Sequence, residues 1–132
     1  MQSIVIDASA VVEILRGGSA RAAIKAHVVQ ADVAAPAILD LEVLSALRRL
    51  ERAGEIESER ASEAVGDLAQ LRARRVPVAE LAEAAWKLRG SLRIADAFYV
   101  ALARMLGAQL LTLDSRLAGA PALGVTVVVP AA

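Results

Sequence analysis

Short apolar runs alternate along this chain with longer stretches of helical periodicity. That alternation is the sequence mark of an α/β domain built on a parallel sheet. The run Ser3–Ile6 is β-branched and reads as a buried strand. Residues 10–16 continue as a helix that stops at Gly17-Gly18, and a second helix is expected over 20–30. A short strand at 33–35 leads to Pro36, a residue suited to the first position of a helix. That helix is expected over 37–53, with Gly54 ending it. A further helix over 57–74, a brief strand at 76–78 and helices over 80–89 and 94–106 follow. Strands at 109–113 and 125–129, with a helical turn around 115–118 between them, complete a count of five strands. No linker, repeat or low-complexity block divides the 132 residues, so a single domain spanning 1–132 is expected.

Composition narrows the chemistry. Hydrophobic residues make up 57% of the chain and charged residues 23%, a balance that folds rather than one that stays disordered. The aromatics are Trp86, Phe98 and Tyr99 alone, so Ala, Val and Leu must fill the core, and Trp86 is expected as a core anchor beside Leu81 and Leu88. The absence of cysteine removes disulfides, thiol catalysis and cysteine zinc sites. His27 is the single histidine; it is expected on a helix surface, and it makes a Ser-His-Asp triad a poor fit. The opening residues carry no basic leader, and Asp7 interrupts their apolar stretch, so a cytoplasmic protein without a membrane span is expected. Fifteen basic and fifteen acidic residues cancel, which argues against a surface that grips nucleic acid all over and leaves room for a local basic rim.

Four acids stand in places where a carboxylate is costly. Asp7 follows Ile4-Val5-Ile6 at the carboxyl end of the first strand, the edge at which open parallel sheets bind ligands. Asp114 repeats the situation after Leu110-Leu111-Thr112-Leu113. Either acid could instead cap the helix that follows it. Asp96 lies in a helix apolar on nearly every face, where an unpaired carboxylate would lose several kcal/mol; a cation is expected beside it, either Arg93 or a metal ion. Glu42 borders the stripe Leu39, Val43, Ala46, Leu47 and Leu50, where a side chain can point into a cleft or pair with Arg49. Asp40 competes with it, although its place in the first helical turn suits the helix dipole.

With no cysteine and one histidine, a metal site in this chain must be built from oxygen. Clustered carboxylates suit a hard cation, Mg²⁺ with Mn²⁺ as a substitute. Such an ion permits phosphodiester hydrolysis without a protein nucleophile, because it acidifies a water and neutralises charge developing on the phosphate.

The segments IVIDASAVVEIL, PAILDLEVLSALRRL and ADAFYVALARMLGAQLLTLDSRL, in that order and spacing, resemble the PIN-domain nucleases, most nearly the VapC-type toxins of bacterial toxin–antitoxin pairs. The resemblance runs from residue 4 to 129. It implies a three-layer sandwich, with a central parallel five-stranded sheet between helices. It aligns Asp7, Glu42, Asp96 and Asp114 with the family's four acids, the first and third being the usual magnesium ligands, and Ser9 and Thr112 with its supporting hydroxyl positions. It further implies an endoribonuclease acting on single-stranded or looped RNA such as tRNA or rRNA, a homodimer, and a cognate antitoxin whose tail blocks the groove. The arginines nearest the acids in sequence or helix phase are Arg16, Arg48, Arg49, Arg93 and Arg116. A receiver domain would need paired acids after the first strand and a late lysine; a dehalogenase-type phosphatase would need an acid where Ser9 stands. The remaining alternative is a PIN-like fold kept for binding RNA or protein without catalysis.

Overall fold

The computed structural model describes residues 1–118 and 124–131. Five strands, β1 (Ser3–Ile6), β2 (Asp32–Pro36), β3 (Arg74–Val76), β4 (Gln109–Leu111) and β5 (Val127–Val128), form one sheet in the order β3-β2-β1-β4-β5. Every pairing is parallel. The helices are α1 (Ala8–Arg16), α2 (Arg21–Val28), α3 (Leu39–Arg52), α4 (Ser58–Ala69), α5 (Ala82–Lys87), α6 (Ile94–Leu106) and α7 (Ser115–Ala118). This is the expected α/β architecture, a parallel five-stranded sheet flanked by helices.

The sheet is held by burial. Ile4, Val5, Ile6, Leu110 and Leu111 are each at most 1% exposed, as strands covered on both faces require. Helix α6 packs across β1, β2 and β4 through Val100, Leu102 and Ala103, while α1 packs against α2, α3 and α4. The small residues Ala10, Ala64, Ala97 and Ala101 are buried, and they let the helices approach closely in a core with few aromatics. The chain leaves β1 for β2 and β3 on one side, then returns to β4 on the other. The strand order therefore reverses between β1 and β4, and the crevice outside the carboxyl ends of those two strands is where such sheets take ligands. Among the described residues no helix is long and apolar enough to cross a membrane.

Several boundaries depart from the sequence reading. The helix expected over 57–74 ends at Ala69, and the strand expected at 76–78 occupies Arg74–Val76. Arg75 explains the first: its guanidinium donates to the carbonyls of Leu71 and Ala73 and to both oxygens of Asp40, and these partners hold the chain out of the helix. Pro77 explains the second, since it has no N–H to offer a ladder. Pro36 closes β2 rather than opening the next helix, which begins at Leu39. The segment expected as one helix over 80–89 divides into a 3₁₀ turn at Val78–Glu80 and α5. Strands β4 and β5 are shorter than 109–113 and 125–129.

Trp86 is not a core anchor: it is 59% exposed, with the Arg89 guanidinium 4.5 Å from its ring centroid. Leu81, Ala85 and Leu88 share the inward face of that segment at helical spacing, which turns Trp86 outward.

Candidate active site

Asp7 ends β1 and caps α1. Its backbone is extended, and Oδ1 accepts the Ala10 N–H at 3.2 Å. The capping role expected as the bland alternative is thus real, and it occupies only part of the side chain. Oδ1 also accepts the Ser9 hydroxyl at 2.6 Å, and Oδ2 accepts the Thr112 hydroxyl at 2.5 Å. The parallel register sets Ile6 beside Leu111, which brings Thr112 level with Asp7. Both hydroxyls are polarised by the chain beyond β4: Ser9 Oγ accepts the Leu113 N–H at 3.0 Å and Thr112 Oγ1 accepts the Asp114 N–H at 2.9 Å. Each therefore turns its own proton toward Asp7.

Asp7 is 7% exposed. Burial pushes its carboxyl above the usual range; the hydrogen bonds from Ser9, Thr112 and Ala10 pull it back, and the nearby Asp96 charge adds to the rise. Glu42, from the first turn of α3, accepts the Tyr99 hydroxyl at 2.6 Å. Arg49, the partner expected for it as the alternative, forms no ion pair or hydrogen bond with it among the described residues. The Tyr99 hydroxyl is pushed well above its ordinary range by burial and by Glu42, so it stays a donor at any working pH.

Asp96 meets Arg93 at 3.3 Å, the arginine expected beside it, although Arg93 is 71% exposed in its side chain and Asp96 only 21%. The helix carrying it is less enclosed than its composition implies, since Ile94 and Met105 face solvent. Asp114 is gripped by Arg116 through two contacts, at 3.0 and 2.9 Å, and accepts the Arg116 N–H as the opening of α7. The Arg116 guanidinium holds its carboxyl below the usual range.

Asp7, Glu42, Asp96 and Asp114 all line one groove of about 830 Å³, together with Ser9 and Tyr99. The groove runs from the carboxyl edge of the sheet along α1 and α3, past Glu13, Arg16, Arg49 and Glu55. Asp40 lies outside it, paired with Arg75, whose hydrogen bonds hold the Asp40 carboxyl below its usual range. His27 is exposed on α2, as expected. Of the five arginines singled out, Arg16, Arg49 and Arg93 line the groove; Arg48 pairs with Glu51 on the exposed side of α3, and Arg116 is taken by Asp114.

Two groove residues were not anticipated. Tyr99 stands one turn beyond Asp96 on the same helix face, and Glu13 is a buried carboxylate inside an apolar run. Ser9, Val12, Glu13 and Arg16 fall at i, i+3, i+4 and i+7, the spacing of one helix face, and that spacing was the available signal.

Among the described residues no group of three acidic or histidine side chains stands close enough to enclose an ion; Asp96 and Asp114 are each turned onto an arginine. In kind, however, the donors fit a hard divalent cation: carboxylates and hydroxyls only, around a water-accessible groove. A cation at Asp7 would also offset the desolvation that raises its carboxyl.

The PIN domain profile matches residues 4–123. The chain is 42% identical over 120 residues to Ribonuclease VapC3 of Mycobacterium tuberculosis, covering 90% of this chain and 88% of that one. It is 43% identical over 125 residues to Ribonuclease VapC1 of the same organism, covering 93% and 94%. Its fold is similar to that of a chain in a toxin–antitoxin complex from Klebsiella pneumoniae, with a TM-score of 0.64 at 20% identity over 97% of this chain and 98% of the other. By profile, by relatives along nearly the whole length and by fold, the chain belongs to the PIN-domain family, and within it to the VapC group.

Proposed function

We propose that this chain is an endoribonuclease dependent on Mg²⁺, with Mn²⁺ as a substitute, and that it is the toxin of a toxin–antitoxin pair. The observation that carries the reading is the convergence of Asp7, Glu42, Asp96 and Asp114, from four separate elements, on one groove at the point where the strand order reverses. The relatives named ribonucleases, matched over nearly their full length, support hydrolysis of RNA as the reaction class.

In this reading Asp7 and Asp96 would hold the ion, and Glu42 and Asp114 would contribute further oxygens. Once bound, Mg²⁺ would neutralise charge at the phosphate and lower the pKa of a water. The chain's own residues supply the geometry. Ser9 and Thr112 fix both oxygens of Asp7, so its orientation needs no rearrangement when substrate arrives. Tyr99 fixes Glu42 in the same way. Arg93, largely exposed at the rim, can offer its guanidinium to a substrate phosphate.

The substrate is single-stranded or looped RNA, with tRNA or rRNA as the class, since selective recognition of RNA works on unpaired bases in loops and ends. The partners are a cognate antitoxin, whose tail occupies the groove, and a second copy of this chain; the setting is the cytoplasm. The test is cleavage of a mixed cellular RNA pool by purified protein with Mg²⁺, with Mn²⁺ and with EDTA, beside an Asp7→Asn preparation purified identically. Discrete fragments that need both metal and Asp7 are the expected result. RNA that is bound but never cut, under any of these conditions, would replace this reading with that of a non-catalytic binding domain.

A further inference from the structure

The groove extends well past the acids. Arg16 lies seven residues beyond Ser9 on α1, and Arg49 seven residues beyond Glu42 on α3, so each stands about 10 Å along its helix from the acidic end. Both line the groove. Arg16 is moreover tied to Glu13 rather than to any of the four acids.

Arg16 is held there by unusual means. Asp7 and Glu13 are the charged residues buried among the described ones, and Glu13 is 6% exposed. Its Oε1 accepts Arg16 Nε at 3.0 Å and pairs with Nη2 at 2.9 Å, while Oε2 accepts the Ala20 N–H at 3.0 Å. Gly18 backs the carboxylate so closely that a Cβ there would overlap it. Burying a carboxylate is expensive, and none of these contacts reaches the four acids. What the arrangement does is fix one edge of the Arg16 guanidinium while leaving its side chain 44% exposed. Arg49 is exposed on the α3 side of the same groove and forms no ion pair among the described residues. Glu55 is the other acid at this end, exposed and free to turn to solvent.

We propose that Arg16, oriented by Glu13, and Arg49 form a second phosphate-binding point, which takes a backbone phosphate of the RNA further along the strand from the one at the acids. The proposal rests on the ribonuclease reading and deepens it: the groove then measures out a single strand between two fixed points. Guanidinium groups suit the task because they fork onto two phosphate oxygens. Glu13 is a positioning residue, acting only through Arg16.

The experiment measures binding of a short fluorescent single-stranded RNA by anisotropy, in EDTA and over a range of salt concentrations. Arg16→Ala and Arg49→Ala are each expected to weaken binding several-fold and to lower the slope of log affinity on log salt by about 0.7, the value for one phosphate contact on a single strand. Arg72→Ala, an exposed arginine outside the groove, leaves both unchanged. Glu13→Gln keeps an acceptor for Ala20 and gives a test of sign. If Glu13 positions Arg16, binding weakens; if Glu13 only adds negative charge, binding tightens and the positioning role falls. Should Glu13→Gln fail to fold, the two arginine variants still decide the binding point. Unchanged affinity and slope in the Arg16→Ala/Arg49→Ala double variant, with wild-type protein still binding and cutting RNA, overturns the second point and leaves the ribonuclease reading intact. Wild-type protein that neither binds nor cuts RNA overturns both.

Discussion

Asp7 serves the fold and the groove with one side chain, and the two demands fall on different contacts. The Ala10 N–H is the helix cap, worth about 1 kcal/mol at such a position, while Ser9 and Thr112 set the direction of the carboxylate. Asp96 is simpler. Its ion-pair partner among the described residues, Arg93, is 71% exposed in its side chain, and pairs of that kind contribute at most about 1 kcal/mol. Asp96→Asn is therefore expected to abolish RNA cleavage while shifting the urea midpoint by an amount corresponding to less than about 1 kcal/mol. A variant that loses the native state would make Asp96 a structural residue. Gly18→Ala should behave in the opposite way at the level of stability. Its Cβ would enter the space of the buried Glu13 carboxylate, which cannot withdraw without breaking its bonds to Arg16 and Ala20. A loss of about 1–3 kcal/mol in urea unfolding is expected, the range for overpacking. That the four acids share a groove was legible in the sequence: Asp7 and Asp114 follow strand runs, Asp96 interrupts an apolar helix, and Glu42 borders an apolar stripe. Glu13 breaks such a run as well, but it falls mid-helix with no strand end to mark it, and only the shared face with Ser9 and Arg16 gives it away.

At the level of elements, Arg75 does more than any cap residue. It joins the exit of α4 to the start of α3, donating to the carbonyls of Leu71 and Ala73 and forking onto Asp40 at 3.1 and 2.8 Å. Arg75→Ala is expected to destabilise the fold by about 2 kcal/mol, since several hydrogen bonds from a charged donor are lost together. Arg75→Lys should recover little of this, because an ammonium cannot reproduce the fork; full recovery in the unfolding curve would reduce the role to simple charge. The same residue shows why the end of α4 was illegible. Periodicity carries a helix through residues 70–74, and nothing local announces that a guanidinium from the next strand will take the carbonyls there. Strand β1 and helix α6, in contrast, were read correctly from end to end, β1 as a continuous apolar run and α6 as a stretch apolar on nearly every face that Gly107 ends. Trp86 failed for the opposite reason. Its size suggested burial, while the spacing of Leu81, Ala85 and Leu88 had already assigned the inward face.

For the molecule as a whole, a net charge of zero means that affinity for a polyanion must come from a local arrangement rather than a general field. The groove has that arrangement: carboxylates at the sheet edge with Arg93 beside them, and Arg16 and Arg49 further along. In the ribonuclease reading the acidic end opposes RNA binding without a cation while Arg16 and Arg49 still favour it, so metal should tighten strand binding. The cation should also stabilise the native state, because the acids converge only when β1, α3, α6 and the chain beyond β4 are assembled; an unfolded chain offers no such site. Mg²⁺ at about a hundred times its dissociation constant would add about 2.7 kcal/mol of stability, enough to raise the melting temperature of a domain this size by several degrees. EDTA should reverse the rise, and Asp7→Asn should abolish it while still melting cooperatively. Melting curves of the wild-type protein that coincide from EDTA through tens of millimolar Mg²⁺ and Mn²⁺ would mean that the four acids hold no metal. The carboxylates would then owe their place to Ser9, Tyr99, Thr112 and the rim arginines alone.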